Sequence, residues 1–125
     1  MGFFQFVKQF VELQRGSFHQ VDQVGIIRFP VGDNFREVYV SEIFTKDGNV
    51  MYGITSIVKE MNAETNLQKI LEFAHHLVYT RTSITSGKIC VSAVCEARLA
   101  SMFFVEQLIR EVAEVSQQML DEKIG

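Results

Sequence analysis

The chain has 125 residues, a formal net charge of −3, and 47% hydrophobic against 22% charged residues, the proportions of one soluble globular domain over 1–125. The acidic balance argues against a general nucleic-acid binder, which needs a basic face, and no run of about 18 apolar residues offers a membrane span. The start "MGFFQFVKQFVELQRG" is a poor signal peptide, interrupted by Lys8 and Glu12 and followed by no small-residue cleavage site. Phe6 stands where a myristoylation signal needs Ser or Thr, so the expected compartment is the cytoplasm.

Phe3, Phe6, Val7, Phe10 and Leu13 recur at helical spacing and predict an amphipathic first helix stopped by Gly16. Phe4 and Val11 lie off that stripe, seven apart, and form a second apolar flank suited to a contact beyond the helix's own core. "QVGIIRFPV" reads as a strand, with Pro30 marking an edge or a terminus. "GDN" is a turn. "FREVYVSEIFT" and "NVMYGITSIVKEM" flank the Asp-Gly of "KDG" and read as a hairpin. In its second arm Val50, Tyr52, Ile54, Ser56 and Val58 share the face expected in the core, and Met51, Gly53, Thr55, Ile57 and Lys59 share the other.

Thr65 with Gln68 suggests a capping box for a helix whose stripe is Leu67, Ile70, Leu71, Ala74, Leu77 and Val78. "YTRTSIT" and "KICVSAVCEA" form a second hairpin across Ser86-Gly87. "SMFFVEQLIREVAEVSQQML" is a long final helix lined by Phe104, Leu108, Val112, Val115 and Met119, with Phe103, Val105 and Ile109 broadening its face. The expected fold is α+β, an antiparallel five-stranded sheet with helices packed on it, in the order α-β-β-β-α-β-β-α. Helices cover at most one face of such a sheet fully, leaving the other wet or used in assembly.

Catalytic and metal motifs are weak. His75 and His76 are adjacent, with His76 opposite the apolar stripe and His75 at its border, so they do not converge on one point. Glu72 lies within reach of either ring, which makes a metal or acid–base site the least favoured of the functional readings. Cys90 and Cys95 sit five apart on one strand and point to opposite faces, as buried thiols rather than a disulfide or a zinc pair. There is no phosphate cradle, EF-hand loop or nucleophile elbow. No cofactor or metal is implied, and the chain is expected not to be an enzyme. An apolar surplus without a catalytic constellation points to a protein partner and a homodimer. The candidate contacts are Phe4 and Val11 on the first helix and His75 and Tyr79 near the end of the second. The alternative is a small-ligand sensor with a pocket lined by some of the eleven Phe.

The stretch "NLQKILEFAHHLVYTRTSITSGKICVSAVCEARLASMFFVEQLIREVAEVSQQML", in its setting of a helix, three strands, a helix, a strand hairpin and a long helix, resembles the type III secretion chaperone-like fold, and most of all its YbjN-type family. The resemblance implies a small acidic cytosolic protein, often dimeric, that binds protein through apolar patches or strand addition without a cofactor. The pattern includes no catalytic residue to carry over.

Overall fold

A computed structural model describes residues 2–74, 77 and 79–122. The elements are α1 (Phe3–Leu13), β1 (Ser17–Val21), β2 (Val24–Val31), β3 (Asn34–Phe44), β4 (Val50–Glu60), α2 (Leu67–Ala74), β5 (Arg81–Thr85), β6 (Lys88–Glu96) and α3 (Met102–Asp121). All strand pairs are antiparallel, in the spatial order β1-β2-β3-β4-β6-β5. The α+β class and the antiparallel sheet are as expected, but the sheet has six strands rather than five. The additional strand is β1, "SFHQV", in which Phe18 alone is half-buried and the rest are exposed. An edge strand with one inward apolar residue carries too little alternation to announce itself.

Turn chemistry joins the strands closely. Gly32 (φ 59°) turns β2 into β3, and Ser86 and Gly87 (φ 52° and 74°) turn β5 into β6, positive angles that suit the right-handed twist of hairpins. Pro30 falls beyond Arg28, the last β2 residue paired to β1, where β2 has become an edge and a missing N–H is tolerated. Register then aligns the inward positions across the sheet: Phe18 with Ile27, Ile27 with Val38, Val40 with Ile54, Ile54 with Ala93, and Val91 with Thr82.

α1 packs on β1 and β2, and α3 lies across β4 with further contacts to β2, β3 and β6. Both cover the same sheet face. Ile27, Phe29, Val38, Val40, Ile54, Val58, Ile89, Val91 and Ala93 from that face are buried with Phe3, Val7 and Phe10 of α1 and Leu108, Val112 and Met119 of α3. Phe3 stacks on Tyr52 at 3.9 Å between ring centres, and Phe10 lies 5.9 Å from Phe29. Inside this layer Ser56 Oγ donates to the Glu37 carbonyl at 2.8 Å, with Ser116 Oγ 3.1 Å away, a polar bridge between sheet and α3.

The ends of α1 and α2 differ from the sequence expectation. Arg15, not Gly16, takes the left-handed conformation after α1 (φ 67°). Its N–H bonds the Glu12 carbonyl and that of Gly16 bonds the Val11 carbonyl, the paired closure of a Schellman motif. Glycine is required one position later because a β-carbon at residue 16 would meet the Arg28 carbonyl oxygen at 2.5 Å. α2 is capped by Asn66, whose side chain accepts from Lys69 N–H at 3.0 Å, while Thr65 Oγ1 accepts from Asn62 N–H. Of its expected stripe Ile70 is buried, Leu77 is half-buried, Leu67 and Leu71 are exposed, and Val78 lies outside the described residues. The helix is short and touches chiefly β5, so it has little to bury against. At the start of α3, Ser101 Oγ accepts from Phe104 N–H at 3.1 Å, a normal N-cap.

Candidate functional site

The second face of the sheet carries no helix among the described residues. Its side chains form rows across the strands. One row is Ile43–Met51–Glu96 and the next is Val24–Ser41–Gly53–Val94. A third is Ile26–Tyr39–Thr55–Ser92–Arg81. The second row bears no charge, and in the third only the edge residue Arg81 does. Val24, Ile43 and Val94 are exposed, whereas Ile26, Met51 and Ile57 are half-buried by their neighbours.

Polar chemistry gathers at one corner of this face. Arg28 stands over the Phe35 ring at 4.0 Å and is paired across the strands with Glu37. Tyr39 donates its hydroxyl to the Glu37 carboxylate. That bond, with burial and the carboxylate's charge adding to it, raises the Tyr39 pKa above the ordinary tyrosine value. The corner therefore holds charges of both signs, while the hairpin end of β3 and β4 holds the apolar rows. Among the described residues this face brings together no nucleophile with an adjacent base and no convergent acids.

The four expected contact residues fare differently. Val11 is wholly buried, which corrects its place as a surface contact. The face of α1 that meets the sheet runs through Phe3, Val7, Phe10 and Val11, and Leu13, expected inside, is 81% exposed. The second flank thus serves the chain's own core. Phe4 is half-buried, with its ring 5.4 Å from Phe3 and 6.3 Å from Phe18. Tyr79 is exposed and lies edge-on to Phe104 at 5.6 Å. His75 lies outside the described residues, as does His76, and the other three contact residues are not brought into one site.

Cys90 and Cys95 are free and face opposite sides of β6, Cys90 beside Ile57 on the open side and Cys95 beside Tyr52 on the covered side. Burial raises both thiol pKa values above the ordinary range, the reverse of what a reactive thiolate needs. Among the described residues no group of three His, Cys, Asp or Glu is arranged to hold a metal ion, and no helix is long and apolar enough to cross a membrane. Much of the phenylalanine set is spent on ring contacts within the α1–sheet layer. Phe73 and Phe104 are different and line two open cavities beside α3.

The open face was half-legible in advance. Alternation along β4 assigns Met51, Gly53, Thr55 and Ile57 to it, but Val24, Ile43 and Val94 join them only through strand register. Searches of protein-family models and of curated proteins return no match to this chain.

Proposed function

We propose that this chain is a non-enzymatic, cytoplasmic protein-binding domain, chaperone-like or regulatory in the manner of the YbjN-type family, that works as a homodimer. The observation that carries the proposal is the charge-free row Val24–Ser41–Gly53–Val94, flanked by Ile43, Met51 and Ile26 on a sheet face that no helix covers among the described residues. Two copies meeting face to face align flat surfaces whose side chains interdigitate at a sheet separation of about 10 Å. Six strands at about 4.8 Å spacing span about 24 Å, and the side-chain rows run about 20 Å along the strands. Each copy then presents roughly 500 Å², and two together roughly 1,000 Å², which reaches the lower bound for specific association. The Arg28–Glu37 corner supplies charges of both signs at the rim, suited to setting orientation rather than strength.

The element order, apart from the added edge strand, fits the family resemblance, and the partner class follows from it: a polypeptide held by apolar contact. Light scattering behind size exclusion tests the proposal. The expected result is a dimer at micromolar concentration, converted to a monomer of unchanged circular dichroism by Val94→Lys. A monomer at every concentration refutes it.

A further inference from the structure

A trough runs along α3 on the helical side of the molecule, away from the open sheet face. Two cavities make it up, about 530 Å³ between α2 and α3 and about 310 Å³ beneath Tyr79. Both are lined by Glu111, so they lie side by side along the helix. We infer that this trough is a docking groove for a cationic, apolar-bearing segment of another polypeptide.

The floor is apolar: Phe73, Leu77 and Val115 at one end, Phe104 and Leu108 at the other. The walls are acidic, with Glu72 on α2 and Glu111 and Glu114 on α3. Among the described residues two cations, Lys69 and Arg110, also line the cavities, and each has a contact within the chain. Lys69 donates to the backbone carbonyl of Glu122. Arg110 lines the second cavity, and its guanidinium reaches Gln14 of α1 and lies 5.8 Å and 5.9 Å from the Phe10 and Phe29 rings. Neither Glu111 nor Glu114 has an ion-pair partner among the described residues. Burial, and then the neighbouring Glu114, raise the Glu111 pKa above the ordinary carboxylate range. The wall therefore carries like charges that an incoming cation would relieve.

Shape narrows the class. From Phe104 to Gln118 the helix advances about 21 Å, the length of about six extended residues or about fourteen helical ones. An open trough of that length with a greasy floor and carboxylate walls matches a segment that alternates apolar and basic side chains. It does not match a compact metal ion, because among the described residues the carboxylates are not grouped as ligands.

The test uses the full chain and a fluorescein-labelled peptide of Leu and Lys, about fifteen residues long and amphipathic as a helix, with a Leu/Glu peptide of the same pattern as its counterpart. Fluorescence anisotropy is expected to show micromolar binding of the basic peptide alone. The Glu111→Gln/Glu114→Gln variant, and separately a rise in salt, are expected to weaken that binding about tenfold. A charge-matched variant on the opposite hairpins, Asp22→Asn/Asp33→Asn, is expected to leave it unchanged. Amide shifts on peptide addition should fall on α2 and α3.

The inference is overturned if neither peptide binds, if the acidic peptide binds as well, or if the charge-matched variant loses as much. It also fails if the amide shifts map to the open face. If Glu111→Gln/Glu114→Gln weakens self-association instead, the trough belongs to a second copy and the inference again fails. The Val94→Lys variant separates this inference from the dimer proposal. Retained peptide binding supports a groove independent of dimerisation, and lost binding places the site at the dimer face and overturns it.

Discussion

Ile54 and Gly53 are neighbours on β4, and Ala93 and Val94 are their respective partners on β6. Ile54 and Ala93 are buried beneath α3, while Val94 faces outward and is exposed. The two pairs share strands and neighbourhood, but successive residues of a strand point to opposite faces, so Ala93 and Val94 meet different surroundings. The comparison shows that apolar residues on a strand are not equivalent evidence of a core. On the covered side they stabilise the monomer, and on the open side they remain available to something else.

The largest expected effect comes from truncating the covered side. Ile54→Ala should lower unfolding free energy by about 3 kcal/mol through lost burial and a residual cavity, read by urea denaturation. Val94→Lys, one step away on the partner strand, should cost below about 1 kcal/mol in the monomer while abolishing the proposed self-association. Equal destabilisation by both would break the distinction between the faces.

A polar pair of substitutions sharpens it further. Ser56→Ala leaves the Glu37 carbonyl and Ser116 without their buried partner and should cost about 1–2 kcal/mol, whereas Ser41→Ala on the open side should cost near zero.

Smaller still is the effect of Glu111→Gln. The folded-state pKa of Glu111 lies above its ordinary value through burial first and Glu114 second. The folded state thus holds the proton more tightly, and stability is lost as pH rises through the raised pKa. Glu111→Gln should therefore be slightly more stable than the parent at neutral pH, by less than about 1 kcal/mol after solvent screening. The advantage should disappear as pH falls below the ordinary carboxylate range. Thermal unfolding across pH measures it.

The smallest effect belongs to Tyr39→Phe on the open side. The Tyr39 pKa is raised chiefly by its bond to Glu37, so the stability it contributes is present below the ordinary tyrosine value and is lost as pH climbs through the raised one. The phenylalanine variant should show less alkaline loss and a change of a few tenths of a kcal/mol at neutral pH.

The parts of the fold legible in the sequence are those with dense local signals. The hairpin around Asp47-Gly48, the Ser86-Gly87 turn and the inward set Tyr52, Ile54, Ser56 and Val58 all follow from period-two alternation and turn chemistry. β1 escaped because Phe18 is its one inward apolar residue. Val11 and Leu13 exchanged roles because α1 meets the sheet through a face shifted toward Val11, a rotation set by tertiary packing. α2 misled because its apolar residues outnumber the surface it has to pack on, leaving Leu67 and Leu71 exposed. The candidate surfaces were less legible than the fold. Val24, Ile43 and Val94 come onto one face only through long-range register, and the larger cavity along α3 is walled by α2 residues distant in sequence.

The strand order carries a consequence for how the chain folds. β1 to β4 lie in sequence order and can zip consecutively through short connections. β6 must instead return past α2 and β5 to reach β4, closing a loop before any pairing rewards it. The β4–β6 seam is then expected to consolidate after the first four strands. Amide protons along it would report when the second half of the molecule docks on the first, and both halves of the open face would be completed at that moment.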